Sequence, residues 1–187
     1  MDRPFLCKKA DRGKEMGMSQ NTLISQIVGY KNAGKTTVMV KLIEYLSKNQ
    51  IKIGTIKHHG HGGNPTHVSG TDSHSLMLAG AKVSTVQGES LLQLNAEASF
   101  SLEEIIALYR SFSFDLLLVE GYKQAHYPKI VLIRNEEDLQ LLSTLSNIVA
   151  VGLHANVVCQ EHDYYTFALS ELDDHIPILA ELCLRKR

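Results

Sequence analysis

The sequence predicts an α/β fold, a three-layer sandwich in which helices cover both faces of a largely parallel central sheet. Short apolar runs alternate along the chain with segments whose apolar residues recur at the period of a helix. Several of the runs, such as residues 116–119 and 148–151, are apolar throughout, as strands buried on both faces are, rather than alternately apolar and polar. A glycine-containing segment, residues 29–36, joins the first strand to the first helix.

That segment fits the pattern G-x-x-x-x-G-K-[ST] at every fixed position and predicts the phosphate-binding loop of a P-loop NTPase. Its glycines let the backbone curl round a polyphosphate and present successive N–H groups to it, and the following helix adds partial positive charge. We expect Lys35 to reach the β- and γ-phosphates and Thr36 to ligate Mg²⁺. The complete match disfavours an ordinary glycine turn. The predicted nucleotide-binding residues are Gly29, Tyr30, Lys31, Asn32, Ala33, Gly34, Lys35, Thr36 and Thr37.

The first half of the chain predicts four strands and two helices. An apolar run at residues 23–28 predicts the first strand, and apolar residues at every fourth position from 38 to 46 predict the buried face of the first helix. Residues 51–56 predict the second strand, before a long loop at 57–70. A short helix capped by Thr71 or Asp72 should end at Gly80. Further strands are predicted at 82–86 and 91–94.

The second half continues the alternation. Ser101 and Glu104 have the spacing of a capping box, which predicts a helix start. Buried strands are predicted at 115–119, 129–133 and 148–151, with a short helical piece near 137–142. Ile176 begins an i, i+3, i+4, i+7 apolar series, which predicts a closing helix packed on the sheet.

Composition predicts one domain and disfavours several functional classes. The chain of 187 residues has 44% hydrophobic residues and a formal charge of −1, so nothing in its charge favours nucleic acid. Its three scattered cysteines predict neither disulfides nor a thiolate zinc site and suit the cytoplasm. No aliphatic run approaches the ~20 residues of a membrane span. We predict a disordered extension over residues 1–20 and a single P-loop domain over 21–187, with the closing helix packed on it.

Residues that follow the predicted strands are candidates for chemistry, because ligands of open α/β sheets bind beyond the carboxyl ends of strands. Glu120 occupies the place of a Walker B carboxylate and is a candidate catalytic residue and Mg²⁺ ligand. Lys57, Asp72 and Ser73 would reach the nucleotide or Mg²⁺ if the 57–70 loop folds over the site. The alternatives are a solvated strand end for Glu120 or Lys57 and a helix cap for Asp72.

Histidine and arginine usage separates the remaining functions. His58, His59, His61 and His67 lie within ten residues and would suit Zn or Ni, although the spacing equally fits a polar solvated loop. Only Arg110 and Arg134 occur between residues 20 and 184, which disfavours a small-molecule kinase. No arginine lies in or beside the Walker motif along the sequence, so we expect slow hydrolysis.

Four segments together resemble the molybdopterin-guanine dinucleotide biosynthesis adaptor protein B family, MobB. They are residues 27–37, 55–59 (Thr-Ile-Lys-His-His), 72–81 with Asp-Ser and Ala-Gly-Ala, and 117–123 (Leu-Leu-Val-Glu-Gly-Tyr-Lys). The resemblance spans residues 22–155. The glycine- and histidine-rich stretch at 60–70 departs from it, and the extensions 1–20 and 160–187 fall outside it.

The resemblance implies a dimeric GTP-binding protein with slow hydrolysis and with GTP and Mg²⁺ as cofactors. It implies an accessory role for the partner guanylyltransferase that joins GMP to molybdopterin, and contact with molybdopterin or its product. Lys57, His58, Ser73 and Lys123 become candidate contacts to nucleotide or partner. Guanine preference rests on the resemblance alone, because no [NT]-K-x-D tetrapeptide occurs. A metallochaperone GTPase that uses the histidine loop is the alternative function.

Overall fold

The computed structural model describes residues 22–58, 70–159 and 163–186. Eight strands are present in these ranges: β1 (Leu23–Gly29), β2 (Ile53–Lys57), β3 (Val83–Gln87), β4 (Leu92–Ala96), β5 (Leu116–Glu120), β6 (Lys129–Ile133), β7 (Ile148–Leu153) and β8 (Tyr165–Ala168). The α-helices are α1 (Lys35–Lys48), α2 (Asp72–Leu78), α3 (Leu102–Leu108), α4 (Gln140–Thr144) and α5 (Leu172–Leu184). Short 3₁₀ turns occupy Tyr109–Ser111, Glu136–Leu139 and Leu169–Glu171.

Six strands form a central sheet in the order β2-β5-β1-β6-β7-β8, and every neighbouring pair is parallel. The apolar runs explain this arrangement, because β5 and β6 are buried along their whole length and so require cover on both faces. The predicted α/β class with a largely parallel sheet is therefore confirmed. Parallel pairing also brings the carboxyl ends of β1, β2 and β5 to one edge, where the candidate residues Lys57 and Glu120 lie.

Helices pack on both faces of the sheet. On one face, α1 and α5 bury Leu42, Leu46 and Leu179 against Ile27 and neighbouring strand residues. On the other face, α3 packs near β2 and β5 and α4 packs near β6 and β7. The apolar periods that predicted α1 and α5 match their buried residues.

The helix starts follow the predicted capping chemistry. The Ser101 side chain accepts a hydrogen bond from the Glu104 N–H while the Glu104 carboxylate accepts one from the Ser101 N–H, which completes the capping box. Thr71 caps α2 by accepting from the His74 N–H, so Asp72 is the first helical residue and not the cap. No side chain of the described residues caps the start of α1, and the Gly34 backbone there is left-handed. The first N–H groups of α1 thus remain available to an anion.

Two of the predicted strands lie outside the central sheet. β3 and β4 pair with each other, antiparallel, in a separate two-stranded ribbon. β4, Leu-Gln-Leu-Asn-Ala, alternates apolar and polar residues, and β3, Val-Ser-Thr-Val-Gln, has three polar residues out of five. Both strands therefore differ from β5 and β6, whose apolar runs are nearly continuous. Edge strand β8, which we did not predict, completes the sheet beside β7.

The connection from β5 to β6 crosses the sheet without a helix. Residues 121–128 run from the carboxyl end of β5 to the amino end of β6 and are fixed by two buried polar side chains. Gln26 Nε2 donates to the carbonyls of Gly121 (3.0 Å) and Tyr122 (2.9 Å). Lys129 Nζ donates to the carbonyl of Ala125 (2.8 Å). Both side chains are fully buried, and burial lowers the pKa of Lys129.

Several predictions fall outside the described residues. They concern the N-terminal extension, residues 1–20, and three of the loop histidines, His59, His61 and His67. The single-domain boundary at residue 21 remains a prediction for the same reason. Within the three ranges that are described, no helix has the length and apolar character needed to cross a bilayer.

Candidate functional site

The predicted phosphate loop lines a cavity of about 1170 Å³ at the carboxyl edge of the sheet. The loop leaves β1 at Gly29, where a Cβ would come within 2.8 Å of the Leu132 carbonyl oxygen, so only glycine fits. Asn32 and Gly34 are left-handed, with φ of 61° and 88°. Left-handed residues alternating with ordinary ones curve the backbone into the concave shape that binds anions.

Lys35 lies at the start of α1 with its ammonium folded back on the loop. Its Nζ donates to the Tyr30 carbonyl at 2.7 Å. Burial lowers the pKa of Lys35, the Glu120 carboxylate opposes this, and the positive charges of Lys123, Lys57 and Arg134 lower it further. Several cations therefore converge on this cavity, which suits a polyanionic ligand.

Thr36, Lys57 and Glu120 meet in one hydrogen-bonded group. Thr36 Oγ1 donates to Glu120 Oε2 at 3.0 Å. Lys57 Nζ lies 3.1 Å from Thr36 Oγ1 and 3.1 Å from the Glu120 carboxylate, which is buried. The pairing of Lys57 with Glu120 across β2 and β5 produces this geometry.

The Thr36 hydroxyl and the Glu120 carboxylate of this group would fit a Mg²⁺ ion that takes most of its ligands from nucleotide and water. A hydroxyl and a carboxylate are hard oxygen donors, and Mg²⁺ in nucleotide sites commonly keeps several waters and one or two protein ligands. Among the described residues no cluster of three or more histidine, cysteine or acidic side chains has the geometry of a dedicated metal site. A nucleotide-associated Mg²⁺ therefore suits the donor set better than a transition metal does.

The segment after β5 forms the facing wall. Gly121 is left-handed, and a Cβ there would lie 3.0 Å from the Cβ of His58. The His58 ring packs 4.6 Å from that of Tyr122, and the His58 N–H donates to the Glu120 carbonyl. Lys123 Nζ lies 3.7 Å from the centre of the Tyr30 ring, in cation–π contact. The predicted contacts Lys57, His58 and Lys123 thus line the cavity.

Asp72 and Ser73 lie apart from this group. Neither lines the cavity formed by the described residues. Ser73 is buried and shares a 3.1 Å hydrogen bond with Thr71, while Asp72 begins α2. The structure accounts for both residues in the start of α2, and their contact with nucleotide or Mg²⁺ remains a prediction.

Two residues that the sequence did not place at the loop, Arg134 and His154, contact it in the folded structure. Arg134 follows β6, and its Nη1 donates to the Lys31 carbonyl at 2.9 Å. An arginine therefore does lie beside the Walker motif, although about a hundred residues separate them along the chain. His154, which follows β7, contacts the Ala33 carbonyl at 3.3 Å. Their positions directly after two buried strands were the only sequence signal for them.

Known proteins resemble this chain over most of its length. The family model described as molybdopterin guanine dinucleotide synthesis protein B, MobB, matches residues 24–153. A Bacillus subtilis protein named probable molybdopterin-guanine dinucleotide biosynthesis adapter protein is 43% identical over 140 residues, covering 74% of this chain and 80% of that protein. The Escherichia coli molybdopterin-guanine dinucleotide biosynthesis adapter protein is 32% identical over 124 residues, covering 63% and 70% respectively.

Solved structures agree with the sequence matches. The crystal structure of Bacillus subtilis MobB aligns with a TM-score of 0.74 at 34% identity, covering 86% of this chain and 98% of that one. That of a MobB homologue from Bacillus stearothermophilus aligns with a TM-score of 0.70 at 35% identity, covering 87% and 99%. The ordered motifs, the phosphate loop and the shared fold lead to one conclusion: the chain belongs to the MobB family.

Proposed function

We propose that this protein is a cytoplasmic GTP-binding adaptor which assists a molybdenum cofactor guanylyltransferase in attaching GMP to molybdopterin. Family membership supports a role in molybdenum cofactor biosynthesis, and relatives are named as adapters in that pathway. The observation that carries the nucleotide-binding part is the loop from Gly29 to Thr36, with Lys35, Lys57 and Lys123 converging on its cavity. GTP and Mg²⁺ are proposed as the ligands, with Thr36 and Glu120 as the magnesium-binding side chains.

A nucleotide titration tests this proposal directly. Calorimetry with GTP and with ATP, each with and without Mg²⁺, should show tighter binding of GTP and a requirement for Mg²⁺. GTP-dependent capture of the purified guanylyltransferase tests the adaptor role. Equal affinity for ATP would remove the guanine assignment, and stoichiometric tight binding of Ni²⁺ or Zn²⁺ would favour the metallochaperone alternative. Turnover that depends on a small-molecule acceptor would indicate a kinase.

We also propose a homodimer, supported by apolar side chains left exposed on the segment from α2 to β4. The exposed residues are Leu76, Leu78, Val83, Val86, Leu91, Leu92 and Leu94. Apolar patches on this scale mark interaction sites in soluble proteins, and the ribbon makes no strand pairing with the central sheet. Light scattering should give twice the mass of one chain; a monomer at micromolar concentration would contradict the proposal.

Glu120→Gln should lower GTP hydrolysis more than GTP affinity. The carboxylate lies at the Thr36 hydroxyl, where it helps to hold Mg²⁺ or to orient water, whereas the phosphates are held mainly by the loop and Lys35. We expect about a tenfold or greater loss in kcat with less than about a threefold change in Kd. Single-turnover hydrolysis and calorimetry measure the two effects. Glu44→Gln, on the exposed face of α1, is the matched control; equal hydrolysis by Glu120→Gln and wild type would reject the role.

Hydrolysis by the isolated protein should be slow, on the order of 10⁻⁴ to 10⁻² per second. Arg134, which the structure places beside the loop, is bound to the Asp138 carboxylate and the Lys31 carbonyl. Arg134 does not line the cavity formed by the described residues, so its guanidinium would have to move to reach a transferred phosphate. Phosphate release by purified protein measures the rate. A value above about one per second would mean a complete catalytic site and would contradict the adaptor role.

A further inference from the structure

Two carbonyl groups of the phosphate loop are hydrogen-bonded by residues that do not line the cavity. The Lys31 carbonyl accepts from Arg134 Nη1 at 2.9 Å, and the Ala33 carbonyl is 3.3 Å from His154 Nε2. Because a carbonyl oxygen only accepts, the His154 Nε2 must carry the proton in this contact. Neither Arg134 nor His154 lines the cavity formed by the described residues.

These contacts have a direct consequence for the N–H groups of the loop. In a planar trans peptide the C=O and the following N–H point in opposite directions. Holding the Lys31 and Ala33 carbonyls outward therefore aims the N–H groups of Asn32 and Gly34 the other way, toward the cavity. Asn32 and Gly34 are also the left-handed residues that give the loop its concave shape.

The two donors are themselves held rigidly at neighbouring strand ends. Ile133 of β6 pairs with Leu153 of β7, so the residues after them, Arg134 and His154, emerge side by side. The His154 N–H continues the ladder by donating to the Ile133 carbonyl.

Arg134 is fixed further by Asp138, whose side chain is 3% exposed. The guanidinium donates to both carboxylate oxygens, from Nε at 2.7 Å and from Nη2 at 2.9 Å. The hydrogen bond from Arg134 lowers the pKa of Asp138, so the carboxylate stays charged at neutral pH. Because the guanidinium is planar, its two hydrogen bonds to Asp138 fix its orientation. The remaining nitrogen, Nη1, then points toward the Lys31 carbonyl.

We propose that Arg134, oriented by Asp138, and His154 are positioning residues that hold the phosphate loop in its anion-binding conformation before nucleotide arrives. The proposal rests on the proposed nucleotide-binding function and deepens it. N–H donors that already face the cavity need no rearrangement when the phosphates bind. Loss of the Arg134 or His154 side chain should therefore reduce nucleotide affinity, although neither side chain contacts the nucleotide.

The test compares nucleotide affinity across variants of the full chain. Arg134→Ala and His154→Ala should each weaken GTP and GDP binding by about three- to tenfold, because each substitution removes one hydrogen bond that orients a peptide group of the loop. At saturating GTP, kcat should stay near that of wild type, since the reacting groups are unchanged. Arg185→Ala, an exposed arginine after α5, is the matched control and should bind normally.

Chemical rescue separates positioning from general destabilisation. Millimolar guanidinium chloride should restore affinity to Arg134→Ala by occupying the space between Asp138 and the Lys31 carbonyl, while sodium chloride at equal ionic strength should not. Arg134→Lys keeps the charge but not the fork and should give intermediate affinity. If Arg134→Ala does not fold, Asp138→Asn and Arg134→Lys supply the same comparison.

The outcomes distinguish this proposal from the function on which it rests. Failure of the wild-type protein to bind any nucleotide would overturn both. Wild-type binding with unchanged affinity in folded Arg134→Ala and His154→Ala would overturn the positioning role alone. Weakened binding with no response to guanidinium would also overturn it, because the loss would then reflect general damage to the fold.

Discussion

Lys35→Ala is expected to weaken GTP binding by about ten- to 150-fold, the largest effect on affinity in the site. The ammonium should donate charge-assisted hydrogen bonds to the β- and γ-phosphates, worth ~1.5–3 kcal/mol. In the structure it already lies over the loop, bonded to the Tyr30 carbonyl. Because burial lowers the pKa of Lys35, wild-type affinity should also decline at a lower alkaline pH than an exposed lysine would allow.

Calorimetric titration of GTP into the folded variant measures the effect. Lys48→Ala, an exposed lysine at the end of the same helix, removes an equal charge and should leave affinity almost unchanged. The loss should be smaller for GDP than for GTP, since GDP lacks the γ-phosphate. A Lys35→Ala protein that keeps wild-type affinity for GTP would show that the loop does not bind nucleotide.

Gly29→Ala is expected to destabilise the protein by about 1–3 kcal/mol and to weaken nucleotide binding. A Cβ at residue 29 would come within 2.8 Å of the Leu132 carbonyl oxygen and 3.1 Å of the Ala33 Cβ. Both of these atoms belong to the backbone or are bonded directly to it. Relieving the steric clash therefore requires that β1 and β6 separate or that the loop shift. Either movement displaces the N–H groups that should face the phosphates.

Chemical denaturation and GTP titration of the same sample measure both consequences. Gly88→Ala serves as the control, because a Cβ there would meet only the Leu91 carbonyl oxygen at an ordinary 3.7 Å. It should change stability by less than about 0.5 kcal/mol. Unaltered stability in Gly29→Ala would mean that β1 and β6 are less closely coupled at the loop than the structure indicates.

The features that the sequence could predict depend on neighbouring residues. The phosphate loop, the apolar face of α1 and the capping box at Ser101 each depend on residues that lie close together in the sequence. Glu120 could be placed at the end of a buried strand by the apolar run before it. Its contacts with Thr36 and Lys57 then followed from parallel pairing, which brings strand ends together.

The features that escaped prediction depend on distant residues. Arg134 and the loop are joined only because β6 pairs with β1, and nothing local to either segment indicates that pairing. The burial of Gln26 and Lys129 follows from a crossover that lacks a helix, a route with no sequence pattern of its own. The sequence predicted β3 and β4 as strands. Whether they join the central sheet or form a separate ribbon depends on packing against distant residues, which the local sequence does not indicate.

The order of strands in the sheet also governs when the nucleotide site can exist during synthesis. β1 lies between β5 and β6, so Leu23 pairs with Leu116 and Gly29 with Leu132. Both edges of β1, the strand that leads into the phosphate loop, therefore stay open until residues 116–133 have been synthesised. Contacts so remote in sequence slow folding and leave an apolar strand exposed meanwhile. The phosphate loop can thus take its folded shape only after β5 and β6 have been made, and a ligand bound there would stabilise only chains that include both strands.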